Sequence, residues 1–379
     1  MEIRGALPTA GLADGIVTVD SGVITRIAAA SDGAAPPGSG DVILPGLIDI
    51  HCHGGGGHGF ATLSADEARA AAGFHASRGT TGVLASLVTA APADLLAQVR
   101  TLVPLVDDGS LLGIHLEGPF LSPARRGAHA ASLLRDPDKS LVAALLEAAA
   151  GAIKIITIAP ERTGATALAS MLRDAGVTVA FGHTDTDYEG MAAALAGGRG
   201  GALVTHLGNA MPPLHQRAAG PVAAALVAAA ADSAWVELIA DGVHVDAGFT
   251  RLVFSAAAPG RVVLVTDAME AAGMPDGAYS LGPLRVTVSG GVARLAGADD
   301  AGGGAIAGGT RTLLEVVATA VAGGVAVADA IGAASETPAQ VLGLSSVRGR
   351  LAPGMAADLV LTGPGLRVRR VMRAGRWLG

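Results

Sequence analysis

The feature that most constrains the fold of this chain is a regular alternation of short apolar runs with longer helix-like runs. After an opening strand that begins near Leu44, strand-like runs lie at 81–87, 111–116, 152–158, 177–181, 203–205, 235–240 and 262–266. Helix-like runs separate them, at 65–78, 92–105, 139–149, 163–175, 187–196, 218–231, 247–257 and 312–322. Strands that alternate with helices indicate a parallel sheet, and eight such units over about 250–300 residues match the size of a (β/α)8 barrel.

The two ends of the chain have a different pattern. Short strand-like segments with turns occur before residue 44 and again after residue 347. Such strands cannot each bury a face alone, and chain ends often lie close together. We therefore predict an α/β fold with a TIM-like barrel over residues 45–346 and a small β-sandwich domain built from residues 1–44 and 347–379. An open doubly wound sheet is the alternative.

Composition and charge exclude several classes of function. The chain of 379 residues is 50% hydrophobic and carries a formal charge of −7. It has no basic run interleaved with aromatics, so we expect no nucleic-acid partner. The alanine-rich run at 221–231 is too short to span a bilayer, and no signal peptide is evident. Cys52 is the only cysteine, which permits a reducing compartment, and we expect a cytoplasmic protein without membrane partners.

Polar side chains follow the apolar runs at the point where each run ends. The carboxyl ends of barrel strands meet at one face, and such enzymes keep their chemistry there. We therefore expect these side chains to converge, although each of them alone could be an ordinary strand-end residue. The residues are His51, His53, Glu117, His183, His206, Asp241, His244 and Asp267.

This set of imidazoles and carboxylates can hold one or two divalent ions. His51 and His53 share a face if their segment is a strand, and imidazole is the commonest protein metal ligand. Mixed nitrogen and oxygen ligands suit zinc, with iron or another transition metal as alternatives. A bound metal acidifies a water molecule, and Asp267 would then serve as general base and later as general acid. The pattern predicts metal-assisted hydrolysis.

Seven short motifs lie between residues 45 and 269: PGLIDIHCHG at 45–54, HLEGPF at 115–120, GAH at 127–129, GHT at 182–184, THLGNAMP at 205–212, IADGVHV at 239–245 and VTDAM at 265–269. With the C-terminal segment GRLAPGMAADLV at 349–360 they extend over nearly the whole chain. Together they resemble the amidohydrolase superfamily and, within it, the family of N-acetylglucosamine-6-phosphate deacetylases. The resemblance implies hydrolysis of the acetamide of N-acetylglucosamine 6-phosphate to glucosamine 6-phosphate and acetate.

The resemblance also implies roles for individual residues. Glu117, His183 and His206 would bind a first metal ion, and His51 with His53 a second ion, with Glu117 able to bridge the two. Asp267 would activate the water and protonate the departing amine, while His129 would polarise the acetyl carbonyl. Arg217 would hold the phosphate, often that of a neighbouring subunit in a homodimer. The substrate contacts would be Ala128, His129, Asn209, Ala210, Arg217, Asp241, His244, Ile306, Ala307 and Gly308.

Some positions depart from the family pattern and leave the substrate open. Gly208 replaces a usual aromatic, which would widen the pocket, and the glycine-rich loop 298–304 looks long and flexible. N-acetylgalactosamine 6-phosphate or a cyclic amide is therefore an alternative substrate, and a sugar-phosphate-binding scaffold is the non-enzymatic alternative. His129 and Arg217 could equally be surface residues. We expect His115 to support the site and Cys52 to be a buried residue.

Overall fold

The computed structural model describes residues 1–30, 41–197, 201–297 and 304–379. An eight-stranded parallel sheet lies at its centre. Its strands follow one another in chain order. The first strand meets the last where the Asp267 amide donates to the His51 carbonyl at 2.9 Å. The predicted (β/α)8 barrel is therefore confirmed. The barrel strands are Leu47–Asp49, Thr80–Val88, Gly113–Glu117, Ile153–Ile158, Thr178–Phe181, Ala202–Val204, Ala234–Leu238 and Val262–Leu264.

Helices connect the strands and cover the outside of the barrel. Several begin at a side chain that accepts a hydrogen bond from the first turn, as Ser64, Asp138, Asp187 and Asp246 do. The helices are Ala65–Ser77, Pro92–Asp107, Lys139–Ala149, Ala165–Asp174, Tyr188–Ala196, Gly220–Ala230, Ala247–Ala256, Leu313–Ala322, Val327–Ala333 and Glu336–Val341. The last two were not predicted, because about two turns give too short a periodic pattern to recognise.

The inside of the barrel is packed by apolar side chains from alternate positions of the strands. Ile48, Leu84, Ile155, Leu203 and Val263 belong to this interior cluster, and Ala339 and Val341 of the last helix join it. Inward-pointing residues of barrel strands stack in layers. The apolar layer therefore forms a solid floor beneath the polar residues at the carboxyl ends of the strands.

Strands from both chain ends form one seven-stranded mixed sheet. Val42–Pro45 pairs with Leu359–Gly363 on one side and with Glu2–Leu7 on the other. Residues from both halves, such as Ile3 and Leu359, share one buried cluster. The domain boundaries at residues 44 and 347 stay a prediction. The strands are Glu2–Leu7, Leu12–Asp20, Val23–Ala29, Val42–Pro45, Leu359–Gly363, Arg367–Arg373 and Arg376–Trp377.

A separate antiparallel sheet follows the last barrel strand and was not predicted. It consists of Gly277–Leu281, Leu284–Ser289 and Val292–Leu295. Elsewhere, a short antiparallel hairpin pairs Gly54–Gly55 with His58–Gly59. Inner residues of the sheet pack on Val88 and Ala128 beside the barrel mouth. These half-exposed strands lie outside the repeating strand–helix pattern. The predicted flexible loop at 298–304 falls, except for its last residue, outside the described residues.

Among the helices of the described ranges, none combines the length and apolar character that a membrane crossing requires.

The junction between the small sheet and the barrel leads to a prediction about stability. A Cβ atom at Gly46 would lie 2.8 Å from the Asp358 Cβ and from the Thr81 Cγ2. Because the overlap is with packed side chains, Gly46→Ala should lower the free energy of unfolding by about 1–3 kcal/mol, measured by urea denaturation. The control is Gly73→Ala in helix Ala65–Ser77, where nothing lies within 4 Å of the added atom; it should stabilise by up to about 1 kcal/mol. If both substitutions changed the free energy of unfolding equally, the proposed overlap at Gly46 would be refuted.

Candidate metal centre

Three of the strand-end residues have an unusual backbone conformation. The φ angles of His183, His206 and Asp267 are +46°, +29° and +49°, in a region that residues other than glycine rarely adopt. Such strain costs about 1–3 kcal/mol per residue and is concentrated at functional sites. Each residue follows a barrel strand by two or three positions. These turns mark the barrel mouth as the place where the fold maintains strain.

Glu117, the last residue of the third barrel strand, lies at the centre of the site. Its Oε1 atom is 3.1 Å from Nε2 of His183 and 3.0 Å from Nε2 of His206. Its Oε2 atom is 3.2 Å from Nε2 of His53, and Nε2 of His51 is 3.5 Å from Oε1. All five side chains are buried. The structure therefore brings the five predicted metal ligands together around one carboxylate.

Asp267 completes a second group on the other side of Glu117. Its Oδ1 atom is 3.1 Å from Nε2 of His53 and 3.5 Å from Nε2 of His51. The Nε2 atoms of the two imidazoles are 3.2 Å apart, and the rings meet edge to face. The site thus contains two adjacent sets of candidate ligands. One is Glu117, His183 and His206; the other is His51, His53 and Asp267.

Hydrogen bonds to the outer ring nitrogens assign the tautomers of three of these histidines. In each ring Nδ1 faces an oxygen that can only accept, so a neutral ring donates from Nδ1 and carries its lone pair on Nε2. The partners are the Arg125 carbonyl for His183 at 2.8 Å, the Ser86 carbonyl for His53 at 3.1 Å and the Glu237 carboxylate for His51 at 3.0 Å. Metal-binding histidines are held in this way.

In their neutral form these three rings present Nε2 lone pairs to the site, whereas Nδ1 of His206 has no hydrogen-bond partner within the described residues. Nε2 of His183 lies 3.1 Å from Nε2 of His206, and both point at the Glu117 carboxylate. Lone pairs and carboxylate oxygens at such distances repel each other unless a proton or a metal ion lies between them. The donor set therefore fits a divalent cation, and the mixed imidazole and carboxylate chemistry fits zinc or a similar transition metal.

The charges of the site point to the same conclusion. Burial alone would lower the pKa of the His53 imidazole, but hydrogen bonds to Asp267 and Glu117 outweigh burial and raise the pKa to about 9. Burial alone would raise the pKa of Asp267, but the charge of His51 and the hydrogen bond from His53 hold it below its usual range. Asp267 is therefore ionised at neutral pH. The two carboxylates attract positive charge into the site, whether protons or a metal ion.

His129 differs from the other imidazoles. The backbone N–H of Thr89, which can only donate, lies 3.3 Å from Nδ1 of His129. Burial lowers the pKa of His129 to about 4 in spite of the nearby Glu117, so the ring is neutral. Its proton then lies on Nε2, which is 3.3 Å from Oε2 of Glu117. His129 thus presents a hydrogen-bond donor to the site, although its position beside Glu117 and His183 would also allow ligation.

A cavity of about 240 Å³ opens directly above these residues. Most of the predicted substrate contacts line it, namely Ala128, His129, Asn209, Ala210, His244, Ile306 and Gly308. Asp241 lies behind His244, where its Oδ2 atom is 2.8 Å from Nδ1 of that ring. Ala307 is fully buried and Arg217 is exposed, and neither lines the cavity.

Gly208 does not leave an empty space beside the cavity. A Cβ atom at Gly208 would lie 3.2 Å from the ring of Phe249, a residue of helix Ala247–Ala256. Phe249 thus occupies the volume into which a side chain at position 208 would project. A wider pocket at this position remains a prediction without support from the packing.

Buried polar residues behind the ligands were missed by the sequence analysis. Asp49 accepts a hydrogen bond from Oγ1 of Thr266 at 2.6 Å, next to Asp267, and Glu237 contacts His51. Each is a residue of charged type inside an apolar run. Burying such a residue costs free energy unless it is paired, so its position in the run was the signal that could have identified it. His115 uses both ring nitrogens on Ser86 and Thr157, as expected of a supporting residue. Cys52 is fully buried.

Comparisons with known proteins agree with this geometry. The profile of the Amidohydrolase family matches residues 42–378. N-acetylgalactosamine-6-phosphate deacetylase of Escherichia coli O157:H7 is 34% identical over 341 residues, which are 89% of this chain and 87% of that protein. N-acetylglucosamine-6-phosphate deacetylase of Bacillus subtilis (strain 168) is 35% identical over 339 residues, which are 84% of this chain and 80% of that protein.

A solved structure is similar over almost the full length. It is the D267A mutant of N-acetyl-D-glucosamine-6-phosphate deacetylase from Mycobacterium smegmatis in complex with N-acetyl-D-glucosamine-6-phosphate. The sequence identity is 42% and the TM-score is 0.90, and the alignment covers 97% of this chain and 95% of that chain.

The tautomers predict which imidazoles a metal ion requires. His183→Asn removes an inner lone pair and should lower zinc affinity by at least about 10–100-fold, the loss that follows when even an outer partner of a ligand is removed. His129→Asn removes a ring that donates instead, and zinc affinity should stay within about twofold of the unaltered protein by the same argument. Both are measured by titrating metal-free protein against a chromogenic chelator. A loss of zinc affinity in His129→Asn equal to that in His183→Asn would show that His129 is a ligand.

Proposed function

The chain belongs to the amidohydrolase family, and from this premise we propose that it is a metal-dependent deacetylase of N-acetylglucosamine 6-phosphate. The products are glucosamine 6-phosphate and acetate. The observation that carries the proposal is the convergence of imidazole lone pairs, an ionised aspartate and a neutral histidine donor on one cavity. Relatives and a solved neighbour of this chain are named for the same activity.

The identity of the metal and the residues that would bind it are part of the proposal. A divalent ion bound by Glu117, His183 and His206 would polarise the acetyl carbonyl and lower the pKa of a bound water. His51, His53 and Asp267 would hold a second ion beside it. We propose zinc, with iron as the alternative, because both accept imidazole and carboxylate ligands.

Asp267 and His129 would divide the chemistry between them. The ionised Asp267 takes a proton from water as the new C–O bond forms at the acetyl carbon, and returns it to the nitrogen as the C–N bond breaks. His129 donates its Nε2 proton in a hydrogen bond to the carbonyl oxygen, which becomes more negative in the tetrahedral transition state. The neutral ring suits this role because its proton is fixed on Nε2 before the substrate binds.

The phosphate end of the substrate requires a positive partner. Burial lowers the pKa of His244, but the Asp241 carboxylate outweighs burial and raises it above its usual value, which favours a cationic ring on the cavity wall. Arg217 is exposed and outside the cavity of its own chain. We therefore propose that Arg217 reaches the substrate of a neighbouring subunit in a homodimer. Separately, we propose that the enzyme is cytoplasmic.

N-acetylgalactosamine 6-phosphate is the second candidate substrate, because the relative from Escherichia coli O157:H7 is named for that epimer. Acetate release from both sugar phosphates, measured under the same conditions, decides between them by the ratio of kcat/KM. A protein that binds metal and sugar phosphate but releases no acetate from either would be a binding scaffold.

Asp267→Asn is expected to lower kcat for N-acetylglucosamine 6-phosphate by about 10²–10⁴-fold, the usual contribution of general acid–base catalysis. The amide keeps the size of the side chain but cannot take a proton from water. The measurement is steady-state acetate release from protein whose zinc content has been determined. An unchanged kcat in the variant would refute the role of Asp267.

Arg217→Ala is expected to raise KM for N-acetylglucosamine 6-phosphate by about 10-fold or more, since a charge-assisted hydrogen bond to phosphate contributes about 1.5–3 kcal/mol. Hydrolysis of unphosphorylated N-acetylglucosamine should be unaffected. The matched control is Arg100→Ala, which removes an exposed arginine of helix Pro92–Asp107. If both substrates or both variants responded alike, Arg217 would not be the phosphate ligand.

A further inference from the structure

Glu237 is a buried carboxylate that the mechanism above does not use. It lies on the seventh barrel strand between Val236 and Leu238 and is completely buried. Its Oε2 atom is 3.0 Å from Nδ1 of His51 and 3.1 Å from the backbone nitrogen of His206. Its Oε1 atom has no hydrogen-bond partner within the described part of the chain. A buried carboxyl group is costly unless its oxygens have hydrogen-bond or charge partners.

We propose that Glu237 is a positioning residue which controls binding of the second metal ion, the one at His51, His53 and Asp267. The proposal rests on the metal-dependent function proposed above and adds to it a residue that touches neither metal nor substrate. By accepting the Nδ1 proton of His51, Glu237 keeps the lone pair of that ring on Nε2, where the ion binds.

The ring closest to His51, that of His115, cannot replace Glu237 in this role. The ring of His51 packs edge to face on His115, with ring centroids 4.6 Å apart. Both nitrogens of His115 are already bonded, to Ser86 at 3.0 Å and to Thr157 at 2.8 Å. Without Glu237, Nδ1 of His51 would lose the acceptor it now has, and the ring could carry its proton on Nε2 instead. That tautomer cannot bind the ion.

The same oxygen also connects the two metal positions. Oε2 of Glu237 accepts from the side chain of one candidate ligand, His51, and from the backbone of another, His206, whose φ is +29°. The contact with His51 is to the ring itself, whereas the contact with His206 fixes only its backbone. Loss of Glu237 should therefore weaken the ion at His51 and His53 more than the ion at His183 and His206.

Two substitutions separate the charge of Glu237 from its hydrogen bonds. Glu237→Gln keeps an acceptor oxygen for His51 and His206 but removes the negative charge. Glu237→Ala removes both. The matched control is Thr157→Val, which changes a buried polar residue of the same layer whose side-chain partners, His115 and Thr205, are not candidate ligands.

The test is a zinc titration of the metal-free full-length protein against a chromogenic chelator, with zinc content measured in parallel. We expect Glu237→Ala to lower the affinity for the second zinc equivalent by about 10–100-fold, and Glu237→Gln by about 10-fold, the range for an outer partner of a histidine ligand. Thr157→Val should change it by less than about twofold. Nitrogen-15 NMR of the imidazoles in zinc-loaded protein should show the His51 ring losing its fixed Nδ1–H tautomer in Glu237→Ala alone.

Each outcome has a separate meaning. If the unaltered protein binds neither zinc nor iron, the proposed function itself fails, and if it binds only one equivalent, the inference about a second ion is overturned. If it binds two equivalents and both Glu237 variants bind them with unchanged affinity, only the inference about Glu237 is overturned. Should Glu237→Ala not fold, the Glu237→Gln result decides, because that variant keeps the hydrogen bonds that packing requires. A purely structural role would lower the unfolding temperature without moving the zinc affinity or the tautomer.

Discussion

The site depends on the meeting of imidazole nitrogens and carboxylate oxygens that need positive charge between them, from protons or from a metal ion. The outer nitrogens of His51, His53 and His183 are each bonded to an acceptor, so their inner nitrogens face Glu117 and Asp267 as acceptors too. In a low-dielectric interior this arrangement is strongly unfavourable unless protons or a metal ion supply positive charge. The surrounding fold can be understood as the structure that holds these repelling groups in place.

The barrel provides the rigidity that this requires. An apolar layer fills its lower interior, and above it lies a layer of buried polar side chains that includes His115, Thr157 and Glu237. The ligands form the next layer, on turns whose positive φ angles are costly and are maintained by the barrel wall. The antiparallel sheet Gly277–Leu281, Leu284–Ser289 and Val292–Leu295 then packs beside the mouth. Each layer fixes the one above it.

Much of this could be predicted because a barrel converts sequence order into position. A polar residue after an apolar run must lie at the mouth if the run is a barrel strand, which is why Glu117, His183, His206 and Asp267 were found. Asp49 and Glu237 could not be assigned in the same way, since the pattern marks them only as charges within apolar runs. Their partners, Thr266 and His51, lie 217 and 186 residues away along the chain.

Other features require coordinates for physical reasons. The different tautomer of His129 depends on Thr89, whose backbone N–H points at Nδ1 and whose hydroxyl oxygen lies 2.9 Å from it, and no motif encodes these contacts. The filling of the space beside Gly208 by Phe249 depends on how helix Ala247–Ala256 packs.

The central claim is that these converging atoms hold a metal ion, and anomalous X-ray diffraction at the zinc edge from crystals of zinc-loaded protein tests it most directly. We expect one peak about 2.0–2.2 Å from ligand atoms of Glu117, His183 and His206, and a second peak at His51, His53 and Asp267 when the second position is filled. A peak elsewhere on the protein, or none within bonding distance of Glu117, would contradict the account.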